Sequence, residues 1–475
     1  MANPRTDHDR AASALHLKLL RLQNRLIKEG RGAVVVIGGN DRLAASGLAN
    51  RLQEWFDART VEVVAPLPDD PALIGRPFLW PYWIKMPAKG RMTLVVGDWV
   101  TRTAVAAAKG EYTKDSLRDE LRRLRQFEEL LLADGVAIAK VWLTTSRKDL
   151  RRRLRITEDT EAEGWTVTKD DLLLADGPGA RVAAECQRLS SPVRYNWRQA
   201  PGAEAKARDL AAGRIILEQL SRPRARLAKP RPASRLRPRG LLEAPVQVEL
   251  AKDDYSRQIR KWQVRLGQLT RLAARRGIST LVVLEGPDAA GKGGITRRLA
   301  SLIDAGHLLV HPTPAPTPEE KARHYLWRFW TKVPSAGRMA VFDRSWYGRI
   351  LVERVEGFCK TLEWQRAYAE INAFESRLAE AGAVVLKFWL QLSKEEQWRR
   401  FKLRTESPHK RHKMTKEDYR NRAKWDLHAE AAEDMVARTD TPHAPWHVVP
   451  ADNKRSARVT VLRTLARALA DRLER

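Results

Sequence analysis

The stretch "LEGPDAAGKGGITRRL", Leu284 to Leu299, follows the short apolar run "TLVV" and opens a segment with helical spacing. Its core, Gly286 to Lys292, fits the pattern G-x-x-x-x-G-K. Between a strand and a helix, that pattern is a phosphate-binding loop. Glycines let backbone N–H groups curl around phosphate oxygens, the helix start adds partial positive charge, and the lysine adds a full one. Gly286, Gly291, Lys292, Gly293 and Gly294 are the expected phosphate-binding residues. A Ser or Thr usually follows the lysine and ligates a metal; here Gly293 stands in that place. Asp288, inside the loop, is the candidate replacement, because a carboxylate among phosphates calls for a bridging divalent cation. The other role open to Asp288 is to cap a helix or turn.

A second stretch, "IGGNDRLAASGLANRL" (Ile37–Leu52), looks like a damaged copy of the first. At a constant offset of 247, Gly39 meets Gly286, Asp41 meets Asp288 and Gly47 meets Gly294. The same offset aligns Trp83 with Trp330, Trp99 with Trp346, Arg102 with Arg349, Lys140 with Lys387, and Thr168-Lys169 with Thr415-Lys416. A single ungapped offset over so long a span marks a tandem duplication. Later the register slips slightly, bringing Trp197 near Trp446. Between the copies, Arg222 to Arg239 reads "RPRARLAKPRPASRLRPR", with four prolines, eight basic residues and no acid. Such a run cannot be helical and extends itself by repulsion. The expected organisation is a first copy over 1–221, a linker over 222–245 and a second copy over 246–475.

Each copy alternates short apolar runs with helical spacing. In the second, "TLVVLEG", "MAVFD" and "AVVLKFWLQL" read as buried strands. "IRKWQVRLGQLTRLAARRG" reads as a helix with Trp262, Leu266, Leu269 and Leu272 on one stripe. The fold class is α/β, a parallel sheet covered on both faces, built twice. "MAVFD" ends in Asp343, placed like the metal-facing carboxylate of a Walker B strand. Asp288 and Asp343 are therefore the candidate metal ligands. Arg344 and Arg349 follow, suited to charge developing on a phosphoryl group or to simple pairing with acids. Arg349 has a counterpart in the first copy, whereas Arg344 falls on Gly97, which favours Arg344 for chemistry.

Formal net charge is +29, large enough to imply a polyanionic partner: nucleic acid, an anionic membrane surface or an anionic substrate. The location of the charge decides among them. Residues 399–424 hold eleven Lys or Arg against three Asp or Glu, a local charge of +8. The matching window, 152–177, holds four against seven, or −3. A basic segment confined to one copy reads as a lid closing over successive phosphates. Arg404, Lys410, Arg411, His412 and Lys413 are its candidate contacts, and the last four have become Glu163, Gly164, Trp165 and Thr166 in the first copy. A nucleic-acid-binding protein would spread basic residues over both copies. No apolar run is long enough to span a membrane, the N-terminus lacks an apolar signal region, and two cysteines fit a reducing cytoplasm. The histidines show no metal-ligand spacing, and the 16 tryptophans fall mostly at repeated positions, which suits core packing.

"EGPDAAGKGG", "VFDRSWYGR", "HKRHKMTKEDY" and "TDTPHAPWHVVPADNKRSAR" together resemble the polyphosphate kinase 2 family over the whole chain. The fused arrangement resembles its class II, the polyphosphate:AMP phosphotransferases. The resemblance implies a P-loop kinase-like sheet with flanking helices and a helical lid, homo-oligomers, and Mg2+-dependent (or Mn2+-dependent) transfer of a phosphoryl group from inorganic polyphosphate to AMP, giving ADP. A polyphosphate-dependent nucleoside diphosphate kinase, or polyphosphate synthesis from ATP, is the alternative. It further implies Lys292 on phosphate, Asp288 and Asp343 at the metal or nucleophile, Arg344 and Arg349 near the reacting phosphates, and Lys410 to Lys413 on polyphosphate. Two positions depart from the family pattern: Pro287, where relatives often carry a larger residue, and Asn453, where they often have a second Asp. In the first copy Gly291, Lys292 and Asp343 have become Ala44, Ala45 and Val96. That copy is expected to be an inactive pseudo-domain.

Overall fold

The computed structural model describes residues 7–67, 70–159, 169–191, 195–224, 234–236, 240–241, 243–409 and 411–474, with 154–159 and 413 described for the backbone only. The first copy supplies β1 (Ala33–Gly39), β2 (Val61–Val64), β3 (Met92–Val96), β4 (Ala137–Thr144) and β5 (Arg198–Pro201). The second supplies β6 (Thr280–Glu285), β7 (Leu308–Pro312), β8 (Met339–Asp343), β9 (Val384–Gln391) and β10 (Trp446–Pro450). The sheets have the same order, β2-β3-β1-β4-β5 and β7-β8-β6-β9-β10, and every named pairing is parallel. The strand leading into each loop is thus the central one. Its neighbours on the two sides belong to later and different parts of the chain, which opens a crevice at its carboxyl end.

The central strands are buried along their length, as continuous apolar runs require. In the second copy one face packs on helices Lys252–Arg275 and Lys454–Glu474 through Leu266, Leu269, Ala273, Leu462, Leu465 and Leu469. The expected stripe differs at one position: Leu272 is 39% exposed and Ala273 is buried instead. The other face carries aromatic packing, with Trp346 edge-on to Phe342, Phe329 and Phe374. The repeated tryptophans are accordingly core residues. β7 and β10, the two edge strands, had no clear signal in the sequence, being short and only partly buried.

By contacts the chain divides into two compact units. Unit 1 is Met1–Pro68, Pro81–Leu227 and Thr317–Trp327, and unit 2 is Asp69–Trp80, Ala228–Pro316 and Arg328–Arg475. No helix among the described residues is long and apolar enough to cross a membrane.

Candidate active site

The loop after β6 keeps an open cradle. Gly286 has φ +141°, and a Cβ there would stand 2.7 Å from the carbonyl oxygen of Leu390, so only glycine fits beside β9. Gly291, at φ +119°, caps the helix Lys292–Ala300 and offers its first N–H groups no side-chain acceptor. A Cβ on Gly293 would meet nothing within 4 Å. The buried Lys292 folds back over the loop, its Nζ donating to the carbonyls of Gly286 (2.6 Å) and Pro287 (3.2 Å). Burial first, and then the nearby Arg344, lower its affinity for a proton. From beneath, Arg400 donates to the carbonyls of Ala289 (2.9 Å) and Ala290 (3.1 Å), and to those of Ala451 and Asp452.

Arg344 directly follows β8 and adopts φ +62°, a left-handed backbone that costs a non-glycine residue roughly 1–2 kcal/mol. Strain of this kind persists where a side chain must be aimed. The side chain is aimed at Asp288: Nη2 lies 2.5 Å from Oδ1. Asn421, on the lid helix Lys416–Ala423, donates to the other oxygen, Oδ2, at 2.9 Å. Burial pushes the Asp288 carboxyl up, but Arg344 and Lys292 outweigh it and hold the group below the usual range. The Arg344 guanidinium is likewise opposed by burial and raised overall by Asp288, Glu417 and Glu285.

Two cavities meet at this pair. One, of about 420 Å³, is lined by the loop from Asp288 to Gly294 and by Asp343, Arg344, Arg400, Arg404 and Lys454, with Arg297 and Arg458. The other, of about 440 Å³, runs from Gly286–Asp288 and Arg344 to apolar walls that include Leu351, Val352, Trp389 and Trp425, with Asn421 and His428. Asp288 and Arg344 line both. One cavity is therefore cationic and the other largely apolar with a polar end. Burial lowers His428, which lines the second cavity, from its ordinary range.

Gly286, Asp288, Gly291, Lys292, Gly293, Gly294, Asp343, Arg344 and Arg404 are all brought to this place. Arg349 is not. Its Nη1 pairs with Glu353 (3.2 Å) and Glu363 (3.7 Å), and it lines neither cavity. Arg411 and His412 form an exposed turn, with Arg411 donating to the carbonyl of Thr405. Lys410 and the side chain of Lys413 lie outside the described residues, as do 160–168 of the first copy. Arg297, Asn421, Trp425, His428, Lys454 and Arg458 were not singled out from sequence. Lys454 and Arg458 stand a helical turn apart at the start of the last helix, which is the one signal that could have found them. Asn453, the departure from the family pattern, caps that helix by accepting from the N–H groups of Arg455 and Ser456.

Asp288 and Asp343 line the same cavity, and two carboxylates beside a phosphate loop fit a hard divalent cation. Among the described residues no group of three or more acidic, His or Cys side chains is placed to hold a metal. A cation here would draw its other ligands from phosphate oxygens and water, as magnesium in such sites does.

A phosphate loop on the central strand, an acid ending the adjacent strand and a cationic cavity beside an apolar one together define a P-loop phosphotransferase. A family-wide sequence profile, polyphosphate kinase 2, matches residues 3–221 and again 249–475. The chain is 39% identical, over 97% of its length and 95% of the relative's, to a polyphosphate:AMP phosphotransferase of Pseudomonas aeruginosa. It is 36% identical, over 96% of each chain, to a protein of the same name from Acinetobacter johnsonii. A crystal structure of a P. aeruginosa protein assigned to polyphosphate kinase 2 superposes with a TM-score of 0.84 at 36% identity, covering 100% of this chain and 98% of that one. The chain belongs to the polyphosphate kinase 2 family, with two copies of its domain in tandem.

Proposed function

We propose that the chain moves the terminal phosphoryl group of inorganic polyphosphate to AMP, giving ADP, and that the copy over 246–475 does the work. The observation that carries this reading is the pair of cavities sharing Asp288 and Arg344. The cationic cavity suits a run of phosphates, met by the loop N–H groups, Lys292, Arg297, Arg404, Lys454 and Arg458. The cavity with apolar walls suits a nucleoside, with its phosphate toward Arg344. Phosphoryl transfer needs little covalent help. It needs alignment of donor and acceptor and stabilisation of charge on the oxygens in passage. Arg344, lining both cavities, is placed for that charge.

Asp288 and Asp343 would hold Mg2+ or Mn2+, which would supply positive charge against the phosphates. The first copy, 1–221, lacks the lysine and the strand-end acid and is a pseudo-domain; 222–245 links the two. A cytoplasmic location rests on cysteine usage, and assembly into homo-oligomers on the resemblance. Purified protein with AMP, Mg2+ and polyphosphate should produce ADP. Absence of ADP, together with polyphosphate synthesis from ATP or phosphorylation of nucleoside diphosphates alone, would overturn the assignment.

A further inference from the structure

Asn421 sits between the Asp288 carboxylate and the cavity with apolar walls. Its Nδ2 donates to Asp288 Oδ2 at 2.9 Å, while its Oδ1 is buried without a hydrogen-bond partner. Asn421 lines the cavity with apolar walls, beside Trp425 and His428, whose Nε2 is also buried and unpartnered. A buried polar atom without a partner is costly, and two lining one cavity point to donors and acceptors on a ligand.

The helix that carries Asn421 is fixed at its start by a capping box between Thr415 and Asp418. The next residue, Arg422, donates to the carbonyl of Lys394 (2.6 Å) and to Gln397 Oε1 (3.1 Å). Gln397, itself buried, donates to the backbone carbonyl of Asp288 at 3.1 Å. Two consecutive lid residues thus reach Asp288, one through its carboxylate and one through its backbone. In the first copy the position of Asn421 is Leu174, which is buried and cannot hydrogen bond through its side chain.

We propose that Asn421 is a positioning residue that orients the Asp288 carboxylate and couples it to occupancy of the acceptor cavity. This rests on the functional reading above. A nucleotide donor group meeting Oδ1 satisfies the amide and draws the lid helix onto the loop. The other end of the same amide then holds Oδ2 in the orientation in which Asp288 would take a divalent cation.

Asn421→Leu, which installs the residue of the first copy, and the smaller Asn421→Ser test this. Both should lower kcat roughly 10- to 100-fold, the range a misplaced group costs, and raise the half-saturating Mg2+ concentration several-fold, with KM for polyphosphate within about twofold. Hydrogen exchange supplies a readout apart from turnover. AMP alone, without metal or polyphosphate, should slow exchange of amides 416–424 in the wild type and leave it unchanged in both variants. Wild-type kcat and Mg2+ dependence in the variants, or wild-type slowing of exchange by AMP, would overturn the role. Failure of the functional reading would show differently, as no ADP from the wild type itself.

Discussion

The two copies have the same strand order and a common sequence register, yet the loops after their central strands are built differently. In the second copy the helix begins at Lys292; in the first it begins at Arg42, three positions earlier in the common register. The extra helical residues consume the cradle. Asp41, the twin of Asp288, becomes the N-cap, accepting from the N–H of Ala44 at 2.8 Å. Its other oxygen takes Thr145 Oγ1 (2.7 Å) and Arg153 Nη1 (2.5 Å). Arg153 is the twin of Arg400. Where Arg400 straps the carbonyls of an open loop, Arg153 finds a carboxylate instead, because the matching carbonyls now start a helix. The same aspartate lines two cavities in one copy and caps a helix in the other.

Other pairs divide the same way. Arg344 holds a left-handed backbone at φ +62°; its twin Gly97, at φ +67°, holds the same turn without strain. Glu285, hydrogen bonded to Ser345 at 2.8 Å, has become Gly38 opposite Asp98, whose carboxylate fills the vacated space. What is kept alike concerns the fold. Lys387 is buried with its Nζ 2.7 Å from Glu375, and Lys140 stands 2.7 Å from Glu128. Trp346 and Trp99 donate to those same glutamates. The first copy has given up the strained turn beside the loop and kept the buried charge network.

The largest effect on stability should be common to both copies. Lys387→Met and Lys140→Met each leave a buried glutamate charge and should each cost about 3–5 kcal/mol in chemical denaturation, the usual penalty for breaking a buried pair. A small loss in one copy only would break the equivalence. Asp41→Ala removes a cap and a buried partner of Arg153 and should cost about 2 kcal/mol of stability. A neutral result would mean that Asp41 is not the cap described.

Arg344→Gly and Arg344→Ala both remove the guanidinium and should both be inactive. The glycine variant should be more stable by about 1 kcal/mol, because only alanine retains the left-handed penalty. Equal stability would remove the strain argument. The smallest effect concerns pH. Burial first, then Arg400, lowers Lys454 to about 8. Below that pH the group is charged and attracts polyphosphate; above it the charge is lost, so KM for polyphosphate should rise a few-fold between about pH 7 and 9. Lys454→Arg, whose charge persists, should flatten that rise.

Much of this was legible in the sequence. The loop pattern, the acid ending β8 and the repeat are local or linear features, and each constrains the fold directly. The twin marked Lys292, Gly291 and Asp343 as positions the fold does not need. Asn421, Trp425 and His428 were not legible, since only tertiary packing of the lid carries them to Asp288. From sequence Arg349, a few residues after a strand-end acid, was open both to phosphoryl chemistry and to pairing with acids. The turn after Arg344 carries it to Glu353 and Glu363. The role of Asp288 could not be divided from that of Asp41 by sequence, because the residue is the same and only the helix start differs.

The central claim is that one copy works and the other does not. It is tested most directly by ADP formation from AMP and polyphosphate in Lys292→Ala and Asp41→Ala, each assayed well below its unfolding midpoint. Lys292→Ala should lose turnover by at least about a thousandfold, as expected when the cation on the transferred phosphates is removed, while Asp41→Ala should stay within about twofold of wild type. Comparable losses in the two variants would contradict the account.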